Sequence, residues 1–334
     1  MSGIPKYMQC VGMNETDGKI LIRKVPVPIP GKGEVLVKIA AAPVNPSDMA
    51  RIKHLPVSER GSFISGVEGC GRVVARGSGL LPKLWMGKRV ACSASNNTTG
   101  TWAEFVVAGA MSCIPLPDDV SDEQGSMLLV NPLTAVAFFS IIKKGGHKAV
   151  INTAAASALG RIIEYLGKEN GVPLIHIVRS AAQAKALRAR NAAYVLNQEE
   201  QGFQEELAAL ASRLHATLAL DAVGGDLTGK LLKAVPMGGT VMVYGNLSGD
   251  DPVTDHRSLV ADNKRIEGFY LVNWLREQGL MTKLQSVLTA RKLLKHHITI
   301  PVQARFPLSQ AQEGIDAYLS DMTAGKVLLV PGEV

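Results

Sequence analysis

Residues 149–179, AVINTAAASALGRIIEYLGKENGVPLIHIVR, restrict the fold more than any other stretch of this chain. Val150 and Ile151 open a short apolar run, and a cluster of small side chains, Ala154 to Ala158, follows it. Leu159, Ile162, Ile163 and Leu166 then recur at i, i+3, i+4 and i+7, the spacing of an amphipathic helix. A second apolar run over 173–178 completes a strand–turn–helix–strand unit. In a dinucleotide-binding unit of this shape, the small turn residues let a pyrophosphate reach a helix N-terminus. Only Gly160 survives of the three glycines in the usual fingerprint, and ordinary α/β packing explains the bare pattern equally well. Where an NAD-binding unit carries a ribose-binding acid at the end of its second strand, Arg179 stands, followed by Ser180. A cation beside a hydroxyl suits a 2′-phosphate, so the expected cofactor is NADPH.

The texture on either side supports that reading. Segments 19–24, 33–40, 71–75 and 88–91 read as short strands punctuated by Gly and Pro, as in a compact β-rich domain. From about residue 123, strands and helices alternate. Candidate strands are 149–152, 173–178, 193–196, 218–222, 240–244 and 267–272, with helical patterns at 203–214 and 282–294. Six strands with helical crossovers predict a doubly wound parallel sheet. The C-terminal segment returns to short strands around one helix and is expected to rejoin the first domain. The domains are therefore set at 1–124 with 296–334, and 125–295.

The net charge is +7, from 36 Lys and Arg against 29 Asp and Glu, and the basic residues are scattered. A mild excess of this kind suits phosphate-bearing small molecules and does not call for nucleic acid as a partner. No apolar run reaches the roughly 20 residues of a membrane-spanning helix. The opening residues MSGIPKYMQC lack a signal or transit pattern, so a cytoplasmic location is expected. Cys10, Cys70, Cys92 and Cys113 are far apart, without zinc spacing, and read as ordinary free thiols.

Several segments together resemble the medium-chain dehydrogenase/reductase superfamily, in order along nearly the whole chain. They are GEVLVKIAAAPVNPSDM at 33–49, SGVEGCGRVVARGSG at 65–79, GKRVA at 87–91, GTWAEFVV at 100–107, DAVGG at 221–225, VYGNLSG at 243–249 and GKVLLV at 325–330. The resemblance implies a GroES-like β-rich domain plus a Rossmann domain, an α/β protein overall. In this superfamily zinc enzymes hold a metal with Cys, His and acidic ligands. Here Asn45 stands where they carry Cys, and Val67 where they carry His, beside Glu68. The chain therefore looks like a zinc-independent member with no metal, and Asp48 and Glu68 read as structural.

Among zinc-independent members, it is similar to the quinone oxidoreductase-like group and to the trans-2-enoyl-thioester reductases. VNPLTA at 130–135 and GFYLVNW at 268–274 lean toward the second. Carried over residue by residue, the resemblance places Asn131 and Thr134 beside the nicotinamide. Ala156, Ser157, Ala158, Leu159 and Gly160 would wrap the pyrophosphate, and Arg179 and Ser180 would face the 2′-phosphate. Tyr244, Gly245, Asn246 and Leu247 would edge the cofactor trough. Phe269, Tyr270 and Leu271 would close over it, with Lys326 nearby. The enoyl reductases also carry a tyrosine soon after NPSD, the proposed proton donor, and residues 49–63 contain none.

With no metal, hydrogen-bond donors must stabilise the charge that develops as a hydride arrives. Asn45 and Thr134 are the candidate catalytic donors, and Asn45 reads equally as a turn residue before Pro46. His54 is the one group in the loop that titrates near neutrality, and it reads as a proton donor or as a solvated side chain. The expected activity is NADPH-dependent reduction of quinones or enones. Reduction of an enoyl-thioester with a substituted proton donor, and non-catalytic nucleotide binding, are the alternatives. The resemblance also implies a homodimer formed through the edge strand at 267–272.

Overall fold

A computed structural model describes residues 3–95 and 99–332. The chain divides into two units, Met1–Leu133 with Val287–Val334, and Thr134–Ser286. The second unit contains six parallel strands. In spatial order they are Tyr194–Asn197, Leu174–Val178, Val150–Asn152, Leu218–Asp221, Thr240–Val243 and Arg265–Gly268. The chain enters at Val150–Asn152, winds to one edge, then returns and crosses to the other. The reversal between Val150–Asn152 and Leu218–Asp221 is the switch point at which such sheets bind ligands. Ile151, Ile175, Ala219 and Val241 are fully buried in a core with Phe203, Leu207 and Leu231. Leu159, Ile162, Ile163 and Leu166 are the buried side of helix Ala158–Asn170, as their spacing predicts.

The strand expected at 267–272 is displaced. It spans Arg265–Gly268, and Leu271–Glu277 is a helix that buries Trp274. The run FYLV favours a strand locally, but the neighbouring strand ends where Val243 pairs with Gly268. With no partner beyond that point, the backbone bonds to itself, Trp274 N donating to Tyr270 O at 3.0 Å.

In the first unit, a sheet runs in the order Val302–Pro307, Lys326–Val330, Glu34–Pro43, Gly69–Arg76, Arg89–Cys92 and Ile114–Pro115, with Phe105–Gly109 also pairing with Glu34–Pro43. Its core gathers Val35, Val37, Val73, Val90, Trp102 and Val106. The C-terminal segment is part of this sheet, since Leu329 pairs with Ala42 and Val44 N donates to Val327 O at 2.9 Å. That pairing brings Lys326 alongside Asn45, across 281 residues of chain. The segment after Asn45 is not a loop throughout, because Pro46–Lys53 is helical with proline in its first turn. All four cysteines are buried free thiols. Burial pushes Cys10 up to about 11 and Cys113 up to about 12, which disfavours the reactive thiolate. Among the described residues no helix is long and apolar enough to cross a membrane.

Candidate functional site

The turn after Val150–Asn152 is built for close approach. Ala154 takes a positive φ of 46°, the conformation that a glycine usually supplies. Ala155 N donates to Ile177 O at 3.2 Å, which ties the turn to the next strand. Ser157 caps helix Ala158–Asn170, its Oγ accepting from Gly160 N at 3.1 Å. A Cβ on Gly160 would lie 2.3 Å from Ala155 O, so only glycine lets the helix pack this close to the turn. By construction the first-turn N–H groups, those of Ala158 and Leu159 among them, lack helical partners and are free to face an anion.

Arg179 follows the second strand directly and is exposed, and its backbone N donates to Gln183 Oε1 at 3.2 Å. Ser180 caps the next helix, its Oγ accepting from Gln183 N at 3.3 Å. A capping hydroxyl still has its proton to donate. The second strand thus ends in an exposed cation, not an acid, beside a capping hydroxyl.

Across the switch point, Asp221 organises the DAVGG turn from a fully buried position. Its Oδ1 accepts from Val223 N at 2.9 Å and Gly224 N at 3.2 Å, and its Oδ2 from Thr228 Oγ1 at 2.6 Å. Thr153, just before the first turn, accepts from Ala222 N at 2.8 Å, so the two turns are stitched together. Gly224 and Gly225 both have positive φ, 76° and 57°. Beyond them lies a cavity of about 710 Å³, lined by Tyr244, Gly245, Asn246, Phe269, Tyr270 and Trp274 among others. Phe138 packs its ring against Tyr244 and Phe269, at 5.0 and 4.7 Å between centroids, and so braces that wall. Leu247 is half-exposed, and Leu271 begins the helix that follows. Asn131 and Thr134 are buried one turn apart on helix Asn131–Gly145.

In the first unit Asn45, Asp48, Glu68 and Lys326 form a buried polar cluster. Asp48 Oδ2 accepts from Asn45 N at 2.8 Å, and its Oδ1 from Val67 N at 2.8 Å. Asn45 Nδ2 donates to Glu68 Oε1 at 3.1 Å, while its Oδ1 accepts from the Lys326 ammonium. Glu68 Oε2 accepts from Leu129 N and Val130 N, both at 2.9 Å. Burial pushes both carboxyls up, Asp48 to about 7, and pushes the ammonium down, while attraction between the opposite charges works the other way. Asn45 is thus a turn residue and a network member, with a single amide N–H left over. Lys326 is turned inward. His54 is exposed at the end of helix Pro46–Lys53.

Residues 31–118 match the alcohol dehydrogenase GroES-like domain, and residues 158–286 match the zinc-binding dehydrogenase family. A mitochondrial enoyl-[acyl-carrier-protein] reductase of Caenorhabditis elegans is 30% identical over 257 residues, covering 75% of this chain and 72% of the relative. The rat enzyme of the same name is 28% identical over 308 residues, with 89% and 80% covered. A solved structure assigned as an NADPH:quinone reductase, from Mesorhizobium loti, is 35% identical with a TM-score of 0.87, covering 98% of this chain and 99% of that one. The chain belongs to the medium-chain dehydrogenase/reductase superfamily. This oxidoreductase is of the quinone and enoyl reductase type, with a GroES-like and a Rossmann unit, and it uses a nicotinamide cofactor. A mycobacterial member solved with NADPH is 27% identical, with a TM-score of 0.78 over 97% of this chain and all (100%) of that one.

The zinc implied by the second family's description does not fit this superfamily member. At the corresponding place an amide, a valine and one glutamate replace a ligand set, and the Lys326 ammonium bonded to Asn45 repels a second cation. Among the described residues no group of three His, Cys, Asp or Glu side chains is placed to hold a metal. Sequence reasoning passed over Thr153 and Thr228 as partners of the Asp221 turn. It also missed Lys326 as a partner of Asn45, because the two meet only when the last strand joins the sheet of the first unit.

Proposed function

We propose that this protein is a zinc-independent, NADPH-dependent reductase of quinones or enones. Arg179 carries the reading: an exposed guanidinium at the end of the second strand, with Ser180 beside it and no acid to favour NAD. On this reading the turn 156–160 holds the pyrophosphate, and Arg179 and Ser180 bind the 2′-phosphate. Tyr244 to Leu247, Phe269 to Leu271, Asn131 and Thr134 flank the remainder of the cofactor. Bound NADPH supplies the hydride. The chain's own part is to hold the dinucleotide, exclude water with aromatic walls and offer the Thr134 hydroxyl to developing charge. Quinones and enones carry their own electron-withdrawing carbonyl and need least further help. The proton comes from solvent or through His54, and assaying His54→Ala beside the wild type separates the two.

Enoyl-thioester reduction is the second reading. The curated relatives favour it, and the missing tyrosine in 49–63 weighs against it. NADPH oxidation followed with quinones, enones and trans-2-enoyl-CoAs distinguishes them. Turnover confined to the first two classes supports the first reading, and turnover confined to enoyl-CoAs moves the assignment to the second. Cofactor binding without turnover on any of them would leave a non-catalytic nucleotide-binding protein.

The reading includes a cytoplasmic homodimer paired through strand Arg265–Gly268, which ends the sheet order and whose residues are largely exposed. Light scattering is expected to give twice the chain mass, and a monomer at micromolar concentration would reject the pairing.

A further inference from the structure

We propose that the Lys326 ammonium is the counter-ion of the buried Asp48–Glu68 carboxylate pair and, through Glu68, a positioning residue for the start of helix Asn131–Gly145. Lys326 is only 2% exposed, and Asp48 and Glu68 are each 1% exposed, so none of the three charges is stabilised by water. Two carboxylates so deeply buried require a cation, and among the described residues Lys326 is bonded into their network through Asn45. Its ammonium donates to Asn45 Oδ1, lies 3.4 Å from Val44 O and stands 5.8 Å from the Tyr318 ring centroid. The charge-bearing groups of the cluster are therefore Asp48, Glu68 and Lys326, with the buried Tyr318 phenol as a neutral neighbour.

The positioning follows from what Glu68 holds. Its second oxygen takes the N–H groups of Leu129 and Val130, immediately before the helix begins. A carboxylate there satisfies donors that the helix cannot and suits the positive end of its dipole. Asn131 and Thr134 sit in the first turns of that helix. The orientation of Asn45 is fixed by the same two charges, lysine on its oxygen and glutamate on its nitrogen. A lysine committed in this way orders the backbone that opens the helix.

The test is charge rescue, read without substrate or cofactor. With both carboxyls ionised the cluster carries −1 in the wild type, −2 in Lys326→Met and −1 again in Lys326→Met/Glu68→Gln. Thermal unfolding at mildly alkaline pH is expected to show Lys326→Met melting roughly 10 °C lower. Amide exchange over residues 129–134 should accelerate about tenfold or more. Adding Glu68→Gln should raise the melting temperature above that of Lys326→Met alone. A lysine that merely fills space gives additive losses instead. Should Lys326→Met fail to fold, Asp48→Asn/Glu68→Gln strands the lysine, and Lys326→Met added to that pair should stabilise it. Additive losses in either cycle overturn the proposal. So does a Lys326→Met protein with unchanged melting and exchange but weakened cofactor binding, which would make the lysine a ligand contact.

Discussion

Asp221→Ala is expected to destabilise the Rossmann unit by about 3–5 kcal/mol, lowering its melting temperature by roughly 10 °C. The carboxylate is fully buried and accepts from two backbone N–H groups and the Thr228 hydroxyl. Alanine leaves all three donors without a partner in a space closed to solvent, and the desolvation cost of each then counts in full. The left-handed backbone at Gly224 and Gly225 also loses what holds it. Asp221→Asn keeps the shape and one acceptor oxygen, so its loss should be clearly smaller. Thermal and chemical denaturation of the two variants checks this. A loss below about 1 kcal/mol for alanine would show that the turn keeps its form without the carboxylate.

The second large effect falls on binding. Arg179→Ala should weaken NADPH binding by roughly 10- to 100-fold while leaving NADH unchanged, the range expected for one charge-assisted contact to a phosphate. Arg179 is exposed and its side chain braces no core, so the variant should melt close to the wild type. Equal weakening of both cofactors would mean that the arginine acts on something they share, not on the 2′-phosphate.

What was legible in the sequence was local. The helix after the phosphate turn announces itself by the spacing of Leu159, Ile162, Ile163 and Leu166. Strands buried on both faces show as apolar runs, which is why the first five strands of the parallel sheet lie close to the expected bounds. The error at 267–272 came from reading propensity where pairing decides. FYLV favours a strand, yet the adjacent strand ends at Val243 and leaves nothing for Leu271 and Val272 to bond. The polar cluster of the first unit was hidden for another reason. Asn45 and Val67 are visible as departures from the zinc pattern, but the meaning of Asn45 and of the neighbouring Glu68 depends on Lys326, which meets Asn45 only because the last strand joins the sheet of the first unit. No local pattern encodes that pairing. The inward turn of Lys326 likewise depends on burial, which a strand-opening lysine does not reveal by itself.

The central claim is an NADPH-specific reductase, and the most direct measurement is a fluorescence titration of the wild-type protein with NADPH and with NADH. The account predicts saturable NADPH binding in the micromolar range, at least about tenfold tighter than NADH. Equal affinity for the two, or no binding of either, would contradict it.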